Sequence, residues 1–250
     1  MYNEFARVYD VFMGETPYKK WYNFINTALT QNGISPKIVC DLGCGTGVLC
    51  KMFEEDGVEV IGIDGSVDML AVAKTQSRNV LYLNQDISEF ELYGTVDLIY
   101  SSCDTLNYLI EPAEIKNVFK LVNNYLEKDG LFIFDINTEY KYKNELGEKV
   151  FVEQNDDASY IWENFYDPKE KINEFGVTFF IRDDYIYKKS QEFHYQKAYT
   201  IEEIKQYLEE AGLIILGIYD DYTSNMYNPT TSRATFITKE GYLEDKFYQR

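Results

Sequence analysis

From Lys37 onward, short apolar runs alternate with stretches of helical periodicity. The runs Ile38–Asp41, Val58–Ile63, Val80–Leu83, Val96–Tyr100 and Leu131–Ile136 are almost continuously apolar, as strands covered on both faces must be. Between them Val48–Glu55, Val67–Gln76 and Ile115–Leu126 space their apolar residues for one face of a helix, as Tyr18–Thr30 does ahead of the first strand. Strand and helix in alternation predict a parallel sheet with helices on both faces. Ligands of such sheets lie beyond the carboxyl ends of the strands, where Asp41, Asp64, Asp86 and Ser101 fall.

The alternation then stops. From about Phe151 to Tyr199 the chain is rich in aromatics and reads as strands, Ser159–Tyr166, Glu174–Arg182 and Tyr185–Tyr199, turned at Asp167-Pro168-Lys169-Glu170 and at Asp183-Asp184. Thr200 with Glu203 makes a capping box for a helix that Gly212 closes, and Leu213–Tyr219 and Arg233–Thr238 supply two last strands. The expected fold class is α/β: a doubly wound, mostly parallel seven-stranded sheet with an antiparallel β layer inserted at about 140–199, all within one domain spanning 1–250.

Composition narrows the partners. A chain of 250 residues, 45% hydrophobic, buries a large core and is short for two independent domains. With 42 acids against 24 bases its formal charge is -18, which repels a phosphate backbone, so nucleic acid is excluded as the expected partner. Met1–Asp10 lacks the basic start and apolar run of a signal peptide, and the longest apolar stretch, Leu213–Ile218, is too short to span a bilayer. The expectation is a cytoplasmic protein with no membrane partner, monomeric or homodimeric. Cys40, Cys44, Cys50 and Cys103 show neither paired zinc spacing nor a disulfide framework, so they are read as reduced packing residues and no metal is expected.

The chemistry is concentrated at Asp41-Leu42-Gly43-Cys44-Gly45-Thr46-Gly47, directly after the first strand, and at Asp64, the tip of the second. Glycines at 43, 45 and 47 allow positive backbone dihedrals and close approach of a ligand, and the helix they open points free amides at it. An acid at the next strand end accepts the hydroxyls of a ribose. The spacing is Gly-x-Gly-x-Gly, whereas a dinucleotide-binding turn needs Gly-x-Gly-x-x-Gly; an NAD-dependent oxidoreductase is therefore disfavoured.

This segment resembles the first motif of the class I S-adenosylmethionine-dependent methyltransferases, and the resemblance extends over about Lys37–Ile136. It implies a Rossmann-like methyltransferase fold that binds S-adenosyl-L-methionine and releases S-adenosyl-L-homocysteine. By that resemblance Asp41, Gly43 and Gly45 belong to the cofactor loop. Asp64-Gly65-Ser66-Val67-Asp68-Met69 looks like the second segment, with Asp64 on the ribose, Gly65 beside it, Ser66 capping the helix and Met69 against the adenine. Asn84-Gln85-Asp86-Ile87 resembles the third, in which Asp86 accepts from the adenine amine and the Ile87 amide reads the ring; a plain turn-forming acid is the alternative for Asp86. Ser101-Ser102-Cys103-Asp104 matches the fourth, where donor and acceptor meet, with Ser102 and Cys103 as cofactor contacts. The Asn/Asp-Pro-Pro-Tyr tetrapeptide of enzymes that methylate nucleic acid bases is lacking there.

Tyr2, Phe5-Ala6-x-x-Tyr9-Asp10, Trp21, the Asn107-Tyr108 pair and the aromatic insert are similar to small-molecule methyltransferases, the sugar amine N-methyltransferases among them. The likeness implies that residues 1–35 form a helical lid, with Tyr9 and Trp21 on the cofactor, and that Asn107, Tyr108 and Trp162 line the acceptor pocket. For Phe5, Val8, Tyr9 and Phe12 an amphipathic core helix is the alternative. His194, the single histidine, shares a strand face with Glu192 and Gln196. It either takes a proton from the acceptor, which makes it the candidate catalytic residue, or bonds two strands together. The expected activity is methylation of a small-molecule acceptor, an amine first. A non-catalytic cofactor-binding protein and a methyltransferase of a macromolecule are the alternatives.

Overall fold

Eleven strands are present among the residues that the computed structural model describes, which are 16–154, 158–242 and 246. In chain order they are β1 (Ile38–Leu42), β2 (Glu59–Asp64), β3 (Leu81–Asn84), β4 (Val96–Ser101), β5 (Leu126–Asn137), β6 (Val150–Gln154), β7 (Ala158–Asp167), β8 (Ile172–Asp183), β9 (Ile186–Lys197), β10 (Ile214–Asp220) and β11 (Arg233–Lys239). Five helices accompany them: α1 (Tyr18–Gln31), α2 (Val48–Glu55), α3 (Val67–Gln76), α4 (Pro112–Tyr125) and α5 (Ile201–Glu210).

Seven strands form one sheet in the order β10-β11-β5-β4-β1-β2-β3, parallel except for β11, which runs antiparallel to both β5 and β10. Neighbouring residues of the central strands point to opposite faces, and each face meets its own helices. Cys40, Ile99, Phe132 and Phe134 pack with Phe119 of α4 and Leu208 of α5, whereas Val39, Leu98, Tyr100 and Ile133 pack with Ile25 of α1, Phe53 of α2 and Ala73 of α3. This is the expected doubly wound sheet. Burial of each large side chain on these faces contributes roughly 1.5 to 3 kcal/mol.

The expected insert is a separate antiparallel sheet in the order β6-β7-β8-β9, placed in the chain between β5 and α5. It has one strand more than the sequence reading, since Val150–Gln154 pairs with Ser159–Glu163. Its pleat sorts the aromatics into two sets. Tyr160 opposite Phe179, Trp162 opposite Val177 and Phe175 opposite His194 share the face turned to the large sheet. Phe165, Tyr185, Tyr187, Phe193 and Tyr195 are exposed.

Of the segment expected as a lid, the structure describes residues 16–35. α1 forms part of a core layer, with Trp21, Tyr22, Ile25, Ala28 and Leu29 buried along one face. Tyr9 and the rest of 1–15 lie outside the described residues. No helix among the described residues is long and apolar enough to cross a membrane.

Candidate active site

The glycine loop turns at three left-handed positions, Gly43, Gly45 and Gly47, with φ of 77°, 53° and 80°. Each does something different. A Cβ on Gly43 would collide with Thr105 and one on Gly47 with Tyr82, so both let neighbouring segments close in. A Cβ on Gly45, by contrast, would meet no atom within 4 Å, and the same holds for Gly65 at the end of β2. These two glycines leave open the space that a cofactor needs.

Asp64 ties the two turns together. Its Oδ2 accepts from the Gly45 amide at 2.8 Å and its Oδ1 from the Ser66 amide at 2.8 Å. Burial raises its pKa above the ordinary carboxylate value, against the pull of those two amides. Each oxygen keeps a lone pair for a ligand hydroxyl. Ser66 caps α3 by accepting from the Met69 amide at 3.2 Å. Asp86 accepts from the Ser88 amide at 2.7 Å and so also acts as the turn former weighed as its alternative.

A cavity of about 790 Å³ opens over these residues. Gly43, Gly45, Asp64, Gly65, Met69, Asp86 and Ile87 line one end, with Cys103 and Tyr108 further along. The far end lies under the inserted sheet, against Tyr160, Trp162, Phe175, Phe179, His194 and Gln196. His194 stacks on Phe175 with ring centroids 4.9 Å apart, meets Tyr108 edge-on, and holds Nε2 3.3 Å from Glu192 Oε2.

Four expected contacts do not line this cavity. Trp21 is in the core, stacked on Tyr222 with centroids 5.2 Å apart and covered by Arg233. Asn107 is fully buried: Nδ2 donates to the carbonyls of Asn137 (3.1 Å) and Lys197 (2.8 Å), and Oδ1 accepts from the Asn137 amide (2.9 Å). It fastens the end of β5 to the end of β9 and does not line the cavity. Asp41 and Ser102 face a small recess of about 40 Å³ beside Tyr18, which shares Gly43, Gly45 and Cys103 with the larger cavity.

Asp41 is enclosed, and its Oδ1 has no hydrogen-bond partner among the described residues. The Cys50 thiol lies 3.3 Å from its other oxygen. An unpaired carboxylate oxygen beside a recess suits the ammonium end of the cofactor that the sequence implies. Burial lifts its carboxyl from 3.8 to about 7. A raised pKa means that the folded chain takes up a proton the unfolded chain does not, so stability is gained as pH falls through 7 and the gain is complete below about 4. Relative to Asp41→Asn, the wild type is expected to gain roughly 2 to 3 kcal/mol between pH 8 and pH 5 in urea unfolding. A difference that does not change with pH would contradict this.

Where β4 and β5 end, a buried ionic network replaces apolar packing. Arg233, the first residue of β11, pairs with Asp135 and lies 2.7 Å from Asp104 Oδ1. Fully buried Asp135 accepts from the amides of Cys103 (2.9 Å) and Asp104 (2.7 Å) and from the Tyr222 hydroxyl (2.6 Å). It thereby holds Cys103 and Asp104 at φ of 62° and 52°, a costly pair for residues with side chains. Gln196 Nε2 reaches across from β9 to Asp104 Oδ2 at 2.7 Å. Arg233, Asp104, Gln196 and Lys141 all line the cavity, and the sequence reading assigned none of Arg233, Asp135 and Lys141.

A family model described as "Methyltransferase domain" matches residues 39–130. A candidate methyltransferase of Geobacillus sp. (strain WCH70) is 34% identical over 245 residues, covering 96% of this chain and 99% of that protein. The crystal structure of an S-adenosylmethionine-dependent methyltransferase from Clostridium acetobutylicum ATCC 824 superposes with a TM-score of 0.88 at 34% identity, over 96% of this chain and 99% of that one. The sugar N-methyltransferase KedS8 from Streptoalloteichus sp ATCC 53650 shares the fold, with a TM-score of 0.76 at 14% identity over 92% of each chain. With a glycine loop opened for a ligand, an acid at the end of β2 and relatives matched over nearly their whole length, the chain belongs to the class I S-adenosylmethionine-dependent methyltransferases.

Proposed function

We propose that this enzyme methylates a small-molecule acceptor, with an amine nitrogen as the receiving atom. The observation that carries the reading is a continuous cavity of about 790 Å³ lined both by the glycine loop and by the aromatic underside of the inserted sheet. Its volume suits a cofactor with one small partner. The chain charge of -18 disfavours a polyanionic substrate. KedS8, which shares the fold, is a sugar N-methyltransferase by its description.

The cofactor supplies a methyl group already activated by its sulfonium. The chain's own contribution is placement in a dry site, where orientation supplies about 7 to 11 kcal/mol of the barrier reduction. An amine arrives as an ammonium and must lose a proton before its lone pair can attack. The aromatic wall attracts the cation by roughly 0.5 to 2 kcal/mol. His194, which lines the cavity with its Nε2 3.3 Å from Glu192 Oε2, is the candidate to receive the proton.

The test is incubation of the purified protein with methyl-labelled cofactor and four acceptor pools: amines, hydroxylated metabolites, bulk tRNA and a protein extract. Label is expected in the amine pool. Labelling of tRNA or protein, with none in small molecules, would overturn the acceptor class and leave the enzyme class standing.

A further inference from the structure

The cavity holds one cation whose charge is not neutralised at contact distance. Arg233 lies against two carboxylates, Asp104 and Asp135, and the second oxygen of Asp104 is taken by Gln196. Lys141 differs. Its Nζ donates to the neutral Oδ1 of Asn137 at 2.9 Å, and among the described residues no carboxylate lies within 4 Å of it. An ammonium has three hydrogens, so two remain for a ligand. Burial, with Arg233 nearby, lowers the pKa of this amine, while Asp104 and Asp135 act in the other direction from beyond contact. An anion arriving beside Nζ would restore the favourable environment of the charge.

The position is built into the fold. Lys141 opens a π-helical turn, Lys141–Leu146, that leads from β5 into the inserted sheet. Its backbone amide bonds the Thr138 carbonyl at 3.1 Å, and the next residue, Tyr142, is buried with its hydroxyl on Gln196. The amine lines the same cavity as Trp162, Phe175 and His194 of the insert, and the groups that act on its charge are Arg233, Asp104, Cys103 and Asp135 at the ends of β4, β5 and β11.

We propose that the acceptor carries an anionic group, a carboxylate or a phosphate, and that Lys141 receives it. This rests on the small-molecule reading above and refines it: an amine acceptor would be zwitterionic, its cationic end towards His194 and its anionic end on Lys141. The cofactor's own carboxylate is the other source of the same chemistry, and the test separates the two.

Calorimetry on protein saturated with S-adenosylhomocysteine would use benzoate as the probe and benzamide as its uncharged counterpart of the same shape. Benzoate is expected to bind at least about tenfold more tightly than benzamide. Lys141→Met should remove that preference, Lys141→Arg should keep it, and both should bind S-adenosylhomocysteine like the wild type. The inference is overturned if benzoate has no advantage over benzamide, or if neither binds. It is equally overturned if Lys141→Met weakens S-adenosylhomocysteine instead, which would assign the amine to the cofactor. Transfer of label to a macromolecule would defeat the small-molecule reading, and that result is read in a different assay.

Discussion

Replacing Arg233 with methionine is expected to destabilise the fold by roughly 3 to 5 kcal/mol, because it strands the fully buried charge of Asp135. Asp135 is fully buried, Asp104 is partly exposed to the cavity, and the guanidinium is the cation paired with both. Without it, Asp135 would still be held by two amides and the Tyr222 hydroxyl, but with no cation against it. Lysine is expected to rescue little, since a single ammonium lacks the planar fork that meets two carboxylates. Asp135→Asn in the Arg233→Met background should recover part of the loss, making the pair strongly non-additive. Urea unfolding of the two single variants and the double variant measures this. A loss under about 1 kcal/mol for Arg233→Met would show that the network is not what holds the end of the sheet.

The same network marks the limit of what the sequence discloses. Gly43, Gly45 and Gly47 are legible because their chemistry is local: a strand, a turn and a helix within a dozen residues, answered by Asp64 and the Ser66 cap at the next strand end. The pleat of the insert is legible in the same way, since a period of two sorts Trp162 from Phe165 without reference to anything distant. Arg233 and Asp135 are separated by 98 positions and meet only because β11 enters antiparallel beside β5, with Arg233 in register with Asn137. One signal was present. Asp135 interrupts the apolar run Phe132-Ile133-Phe134-Asp135-Ile136, and a charge in a strand covered on both faces requires a partner.

Two expected contacts, Trp21 and Asn107, lie outside the cavity lining for a related reason. Trp21 falls on the face shared by Ile25, Ala28 and Leu29, and helical period alone would have placed it in the core. Asn107 looked like a polar group for a ligand. Its amide instead satisfies backbone groups at Asn137 and Lys197, a requirement created only when the inserted sheet docks on the large one.

The second large effect is expected at Gly45, where valine should abolish measurable binding of S-adenosylhomocysteine, a loss of at least about a hundredfold, or roughly 2.7 kcal/mol. A side chain there meets no protein atom within 4 Å, so what it enters is the space over Gly65 and Asp64 that the cofactor must fill. Backbone strain is a separate cost. At φ of 53° a residue with a Cβ loses about 1 to 2 kcal/mol of stability whatever surrounds it. Gly33 makes the control, since it has φ of 71°, equally open surroundings and no place in the cavity lining. Gly33→Val should therefore lower stability by a similar amount and leave S-adenosylhomocysteine affinity unchanged, whereas Gly45→Val should lose both. Asp64→Ala, which removes charged acceptors without filling space, should fall between them, at about 1.5 to 3 kcal/mol of binding. Calorimetry with thermal unfolding of each variant separates the two costs. Affinity within about threefold of wild type in Gly45→Val would mean that the cofactor does not lie across this loop.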